Sequence, residues 1–145
     1  MMPGLALSFG FLAASAALLA QVFLAVFFTD LLTAPLSLIP LIGAAVVEEG
    51  ARLAFLIQLE RRLGEPLSLL SVLLFGIGFV IVEGTLLALS APFPGLQVLG
   101  MVAGVHILGT LIIAGGLRFR TQIPYSLSLS FLSALLIHTL YNTSR

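Results

Sequence analysis

The chain of 145 residues is 60% hydrophobic and only 8% charged, and six arginines balance six acidic residues. A soluble domain typically carries about 25% charged residues, so this composition excludes an ordinary soluble domain. The net charge of zero gives no reason to expect a nucleic-acid partner, and the absence of cysteine excludes disulfides, thiol catalysis and thiolate metal sites. We therefore predict an all-α, polytopic bundle of transmembrane helices in a lipid bilayer.

Five apolar stretches of about 19–24 residues follow one another, each long enough to cross about 30 Å of hydrocarbon as a helix. They predict a single transmembrane domain over residues 1–145, with spans at 5–28, 36–59, 67–89, 96–117 and 124–142. The first stretch lacks a preceding Lys or Arg and is longer than a signal-peptide core, so we expect a retained helix. Turn residues predict breaks at 29–30, 60–66, 90–95 and 118–124, and Pro35 and Pro40 predict an irregular start to the second span.

The arginines outside the spans predict how the chain is oriented. Arg61 and Arg62 lie in the second connection, and Arg118 and Arg120 lie in the fourth. Alternating spans place both connections on one side, which the positive-inside rule makes cytoplasmic. We therefore expect a cytoplasmic N-terminus, in the plasma membrane of a prokaryote.

Several ionisable residues occupy parts of the chain that should cross the hydrocarbon. A Glu or Arg at the bilayer centre costs about 2.5–3.5 kcal/mol on insertion scales, and such residues are usually functional. At about 1.5 Å per residue from the expected cytoplasmic ends, four of them lie about 17–26 Å deep. Four different helices thus bring polar groups to one layer, which predicts a shared site containing Glu48, Glu83, His106 and His138.

Two adjacent glutamates and an arginine form the densest charged group. Arg52 follows Glu48 by four residues and Glu49 by three, so on a helix it can pair with either carboxylate. One glutamate would then be held ionised, which leaves the other for acid–base chemistry. The alternative is that residues 48–52 form a surface turn between two short helices.

The remaining polar and small residues also have structural alternatives. Glu83 is close enough to the end of its span to reach the membrane surface instead. His106 and His138, taken singly, are more often hydrogen-bonded packing residues than functional ones. We expect the glycines of the fourth span to serve close helix packing, including the small-xxx-small pair Gly100 and Gly104, and also Gly109.

Read together, these motifs resemble the PrsW-type glutamic intramembrane proteases, which are related to the CPBP group that includes the CAAX prenyl endopeptidases. The resemblance covers spans two to five, with its motifs in the same order, and the first span carries no motif. Arg52 three residues after the second glutamate, and Glu83 where the CPBP group more often has His, favour the PrsW side. The matching elements are Glu48-Glu49-Gly50-Ala51-Arg52, Phe79-Val80-Ile81-Val82-Glu83, His106 and His138-Thr139-Leu140-Tyr141-Asn142.

The resemblance implies hydrolysis of a peptide bond in a membrane-embedded or membrane-tethered substrate. A water held between His106 and one of the paired glutamates would attack the scissile carbonyl. We expect Glu48 to be the general base and Glu49 to be the partner of Arg52, although the two glutamates are interchangeable at this stage.

The other matched residues would support the same reaction. His138 and Asn142 would donate hydrogen bonds to the developing oxyanion, since positioned donors of this kind stabilise the transition state. Glu83 would orient His106 or His138 through the far ring nitrogen. No cofactor is required by this scheme.

A zinc-dependent protease is the alternative that uses the same atoms. Glu83, His106 and His138 form a His₂Glu set, which suits a catalytic Zn²⁺ with an open fourth position. Glu48 would then remain the base. Because these ligands lie on three helices, no local spacing motif supports the metal, and we favour the metal-free scheme.

Two further alternatives are not proteases. Midplane Glu and His side chains also form proton relays, so a proton or small-ion carrier is possible on this composition. Carriers are often built from internal repeats, and the sequence shows none. The third alternative is a non-enzymatic membrane partner protein, such as a chaperone or an immunity protein.

Overall fold

A computed structural model describes residues 3–27, 39–89 and 95–144 of the protein. The regular structure in these residues is entirely helical, which confirms the all-α class. In chain order the elements are α1 (Pro3–Phe27), α2 (Ile39–Leu63), α3 (Leu69–Leu89), α4 (Gly95–Phe119) and α5 (Ser126–Thr143).

Three of these helices, α1, α3 and α4, are long and apolar enough to cross a membrane by length and composition. Their outward faces carry large exposed apolar side chains, including Leu19 at 70% and Leu89 at 78% exposure. Such faces are stable in hydrocarbon and not in water, so the protein is a membrane protein. That α2 and α5 also cross the bilayer stays a prediction, because α2 carries charges in its central turns and α5 contains several polar residues, among them His138 and Asn142.

The helix ends differ from the predicted breaks by a few residues, and α3 and α5 begin two residues after their predicted starts, at Leu69 and Ser126. Helix α2 continues to Leu63 and α4 continues to Phe119, whereas breaks were predicted from residues 60 and 118. The basic residues of these last turns, among them Arg118, favour the negative end of the helix dipole and so prolong the helix. Gly64, with φ +67°, then ends α2 by donating its N–H to the Glu60 carbonyl at 3.0 Å.

The predicted irregular start of the second span is only partly visible. Pro40 lies in the first turn of α2, where its missing N–H has no acceptor within the helix, so it continues the helix without a break. Pro35 and the predicted break at residues 29–30 lie outside the described residues, as do residues 90–94 of the third predicted break.

Helices α1 and α3 pack through small residues. A methyl group added at Gly10 would overlap the Phe75 carbonyl, and one added at Gly78 would overlap the Leu7 carbonyl. The two backbones are therefore in direct contact at this level, as is usual where small residues face each other in membrane helices. The buried face of α1 consists of Ala6, Gly10, Ala13, Ala14 and Ala17.

Helix α2 lies against α1, α4 and α5, which enclose its central turns. Its apolar residues Leu56 and Leu59 are fully buried, together with Phe75 and Phe79 of α3 and Ile113 of α4. The polar turn of α2 continues this core along the helix axis. The bundle thereby places charged side chains where neither water nor lipid surrounds them.

Candidate active site

The charged turn of α2 is helical and buried. Glu48, Glu49 and Arg52 are 8%, 1% and 0% exposed, and they lie within the uninterrupted helix Ile39–Leu63. The alternative of a surface turn between two short helices is therefore wrong. Burying a charge is expensive unless it is paired and hydrogen-bonded, so the partners of these three side chains decide what the site can do.

Arg52 pairs with Glu49, which resolves the choice left open by the spacing. Its Nη1 donates to both carboxylate oxygens of Glu49, and its Nη2 lies 2.7 Å from Nδ1 of His106. The guanidinium carbon also stands 4.5 Å from the centre of the Phe79 ring, in a cation–π contact. Glu49 is therefore neutralised in place, and Glu48 is the glutamate without a cationic side chain bound to it.

The partners of His106 determine its tautomer. A guanidinium has only donors, so Nδ1 of His106 must accept the hydrogen bond from Arg52. The proton of a neutral ring is then on Nε2, which lies 2.5 Å from Glu83 Oε2 and donates to it. The ring also stacks on Phe79, with the centroids 5.1 Å apart. Of the two histidines that Glu83 was expected to orient, it is His106 that it contacts.

His138 connects the two glutamates of α2. Its Nδ1 lies 2.7 Å from Glu49 Oε1, and its Nε2 lies 3.2 Å from Glu48 Oε2. Because Glu49 is held by Arg52 as an acceptor, Nδ1 of His138 donates to it. This leaves Nε2 of His138 as the ring nitrogen that can exchange a proton with Glu48. The resemblance implies a water between Glu48 and His106, but the imidazole that lies closest to Glu48 is that of His138.

These contacts form one continuous chain of side chains across four helices. This chain of contacts has a carboxylate at each end, that of Glu48 and that of Glu83, and both carboxylates line the same cavity of about 270 Å³. Arginine neither releases nor takes up a proton in proteins, so Arg52 separates the chain into two acid–base pairs. In order, the chain consists of Glu48, His138, Glu49, Arg52, His106 and Glu83.

The cavity has three polar lining residues, and the rest of its lining is apolar. Glu48, Glu83 and Gln21 are its polar lining, and the walls are Ala14, Ala17, Leu18, Leu86, Leu87 and Val102. His106 and His138, which belong to the predicted shared site, are not among its lining residues. Instead they lie behind the two carboxylates, where each holds one of them.

Gln21 of α1 belongs to the site, although no motif in the first span indicates it. Its Nε2 donates to Glu48 Oε1 at 2.6 Å and approaches the Ala44 carbonyl at 3.4 Å. The first span was described as carrying no motif, yet it supplies this contact. Gln21 is the one amide side chain in this helix. Since such residues commonly hydrogen-bond to a neighbouring membrane helix, its presence could have indicated a contact of this kind.

Asn142 is the predicted residue that the structure does not bring into the chain of contacts. It lies one turn beyond His138 on α5 and is half-buried. Among the described residues no hydrogen bond connects it to His138 or to the glutamates. Its expected role at an oxyanion stays a prediction.

The residues that can hold a metal differ from the predicted set. Glu48, His106 and His138 offer ligand atoms that all lie within 4.8 Å of one another. The predicted set contained Glu83 in place of Glu48, but Glu83 already occupies Nε2 of His106. In either set a metal on His106 would have to displace Arg52 or Glu83, and the set with Glu48 is the one whose ligand atoms lie close together among the described residues.

The three glycines of α4 have different surroundings. Gly109 is buried against the guanidinium of Arg52, whereas Gly100 and Gly104 are exposed. Within the described residues nothing lies within 4 Å of a methyl group added to Gly100 or Gly104. Among the described residues this pair therefore makes no close helix contact, and the expected packing at Gly100 and Gly104 stays a prediction. A methyl group at Gly109 would lie 2.8 Å from Arg52 Nη1 and 3.5 Å from Glu49 Oε2.

We accordingly predict opposite effects for the same substitution at two glycines of α4. Gly109→Ala should displace the guanidinium and lower the free energy of unfolding by about 1–3 kcal/mol, as overpacking commonly does. Gly104→Ala should leave stability unchanged or raise it by about 0.5–1 kcal/mol, the usual advantage of Ala over Gly in a helix. Unfolding of both variants in mixed micelles measures the difference, and equal effects would contradict the proposed fit of Arg52 against Gly109.

Comparison with known proteins adds no further assignment. No family model, curated protein or solved structure matches the chain.

Proposed function

We propose that the protein is an intramembrane endopeptidase that hydrolyses a peptide bond of a membrane-embedded or membrane-tethered substrate with a water activated by Glu48. The observation that supports this most is the chain of contacts that ends in Glu48 and Glu83 at one cavity, with Arg52 between two acid–base pairs. A structural ion pair needs only Arg52 and Glu49. The additional imidazole–carboxylate pairs on either side are what acid–base catalysis requires.

Glu48 is suited to take the proton from water. One of its oxygens accepts from Gln21, and the other lies 3.2 Å from Nε2 of His138 without making a hydrogen bond among the described residues. Both nitrogens of His106 are already bonded, one to Arg52 and one to Glu83, so we place the water against Glu48, which lines the site cavity. Water placed there has an acceptor in Glu48.

The proton that water loses in the proposed reaction is taken up and returned by residues of the site. The water oxygen forms a bond to the scissile carbonyl carbon while its proton passes to Glu48. When the carbon–nitrogen bond breaks, Glu48 returns that proton to the leaving amine, with His138 sharing it in between. The net reaction therefore consumes one water and leaves every side chain in its starting state.

Arg52 and Glu49 keep the two imidazoles in their working positions. Arg52 fixes the acceptor nitrogen of His106, and Glu49 fixes the donor nitrogen of His138. Each ring thus presents a defined nitrogen toward the carboxylates of the cavity. Such preorganised polar groups in a water-poor site cost no rearrangement when charge develops in the reaction.

A transmembrane reporter peptide in liposomes distinguishes this proposal from the other two functions. We expect the purified protein to cleave the reporter within its membrane-associated segment. A proton or ion carrier would instead show pH-driven flux and no cleavage, and a non-enzymatic partner protein would show neither. If the protein cleaved no member of a library of such reporters, the proposal would be contradicted.

A zinc-dependent version of the same reaction is the second candidate, because Glu48, His106 and His138 approach one another closely enough to share an ion. Both ring nitrogens of His106 already have protein partners, so a metal would have to replace the Arg52 or the Glu83 contact. The metal-free scheme keeps every described contact, and for that reason we place it first.

We predict that cleavage persists after treatment with EDTA or phenanthroline. In the metal-free scheme no step depends on an ion, so the rate should stay within about twofold of the untreated protein, well below the 10²–10⁴-fold effect of losing a catalytic group. The measurement is reporter cleavage before and after dialysis against chelator. Loss of activity that added Zn²⁺ restores would establish the metal-dependent scheme instead.

A further inference from the structure

Gln21 lies between two cavities. One is the site cavity that contains Glu48 and Glu83, and Gln21 forms part of its wall. The other, of about 190 Å³, lies between α1 and α2 and is lined by Gln21, Leu24, Pro40, Gly43 and Ala44. Gln21 belongs to both linings, so the two cavities meet at this residue.

The second cavity extends from the site toward one end of the bundle. Leu24 lies about one turn beyond Gln21 on α1, and Gly43 lies more than one turn before Glu48 on α2. Both positions are nearer to the point where α1 ends and α2 begins. The second cavity therefore extends from Gln21 toward the end of α1 and the start of α2, and we call it the α1–α2 passage.

The α1–α2 passage has the size and the polar groups that water needs. A single water requires about 30 Å³ of liquid volume and two to four polar partners. The Gln21 amide, which has two N–H donors and an oxygen acceptor, supplies such partners, and Gly43 contributes no side chain to block the space. A methyl group at Gly43 would meet nothing within 4 Å in the described part of the chain.

The site cavity offers a different environment at its other walls. Leu18 and Leu86, which line it, are 37% and 42% exposed and lie on α1 and α3, two helices apolar enough to be surrounded by hydrocarbon. A membrane-embedded peptide can approach from this side, but water is scarce there. Hydrolysis needs both reactants at Glu48, so the water has to come by another way.

We propose that water reaches Glu48 through the α1–α2 passage and that Gln21 acts as its gate and as the residue that positions the Glu48 carboxylate. This inference rests on the proposed hydrolysis for its purpose, but the passage and the gate are properties of the structure that can be measured without catalysis. In the closed form the Gln21 amide is bound to Glu48 Oε1 at 2.6 Å. Rotation of that side chain joins the two cavities.

Cysteine labelling tests the passage, because the natural chain contains no cysteine and every single-cysteine variant is unambiguous. We expect a small cationic methanethiosulfonate reagent, present on both membrane faces, to react with Gly43→Cys and with Leu24→Cys. Gly104→Cys is the matched control, since it is also a glycine with open space around it but faces outward beside the His106 layer. Labelling of Gly43→Cys and Leu24→Cys as slow as that of Gly104→Cys would overturn the passage.

The gate is tested by placing the cysteine beyond it. Ala17 lies one turn before Gln21 on α1 and lines the site cavity. With Gln21 present, Ala17→Cys should react slowly. Adding Gln21→Ala should raise its labelling rate about tenfold or more, because a hydrogen bond to a charged group typically favours the bound form by that factor. The rate at Gly43→Cys should not change, and an unchanged rate at Ala17→Cys would overturn the gate.

The positioning role has its own readout. Gln21→Met keeps the length of the side chain but has no donor, so kcat for reporter cleavage should fall while KM stays constant. A fall of kcat in Gln21→Met that is absent when Glu48 is already Gln would show that Gln21 acts through Glu48. An equal fall in both backgrounds would overturn positioning. If labelling follows the expected pattern and the protein cleaves nothing, the proposed function fails while the passage stands.

Discussion

Glu48→Gln should lower the rate of reporter cleavage by about 10²-fold or more, the usual scale for a positioned acid–base group. The amide keeps the shape of the side chain but cannot take a proton from water. Folding should be retained, because a neutral amide is cheaper to bury than a carboxylate. The measurement is cleavage of the transmembrane reporter in liposomes by both proteins, with Glu65→Gln as the matched control, since Glu65 is exposed in the connection between α2 and α3.

The outcome of this experiment also decides between the two glutamates. Equal cleavage by wild-type protein and Glu48→Gln would remove Glu48 as the base. Glu49→Gln would then be tested, although its contacts with Arg52 and His138 lead us to expect loss of stability as well as activity there. If both variants cleaved at the wild-type rate, the glutamate mechanism would be untenable. A carrier would respond differently, through loss of pH-driven flux in Glu48→Gln.

Arg52→Ala should lower the free energy of unfolding by about 3–5 kcal/mol, the typical result of removing one partner from a buried ion pair. Arg52 is 0% exposed, and its removal leaves the Glu49 carboxylate without its cation and His106 without its donor. The face of Phe79 also loses the guanidinium that lies over it. Unfolding in mixed micelles, followed by helical circular dichroism, measures the effect.

Arg120 provides the control for this substitution. Arg120 Nη1 lies 2.6 Å from Glu60 Oε2, but the arginine is 43% exposed. An exposed pair of this kind is worth about 0–1 kcal/mol, because solvent screens it and its side chains lose freedom when they pair. Arg120→Ala should therefore change stability little. A similar loss in both arginine variants would mean that Arg52 contributes no more than a surface charge.

Hydropathy and residue spacing were sufficient to predict the helices. A long apolar segment is stable as a helix in lipid wherever it occurs in the chain, so α1, α3 and α4 could be recognised from composition alone. The exact ends were less predictable. Whether residues 60–63 continue α2 depends on the dipole and on Gly64, which are small effects compared with burial of the apolar segment.

The common depth of the polar residues was also readable from the sequence, because rise per residue is constant in a helix. It predicted that Glu48, Glu83, His106 and His138 would meet, and the structure brings them together. The depth of a residue in the membrane gives no information on how its helix is rotated about its own axis. The prediction could therefore place these groups in one layer without saying which of them touch.

Only the tertiary structure decided the pairing within that layer. Arg52 was within reach of both glutamates on α2, and it binds Glu49 because His106 and the Phe79 ring hold the guanidinium on that side. Gln21 was unremarkable as a single amide in the first span until the contact of α1 with α2 placed it against Glu48. Spacing along one helix is a local property that the sequence determines, whereas contacts between helices depend on how small residues such as Gly10 and Gly109 let the helices approach.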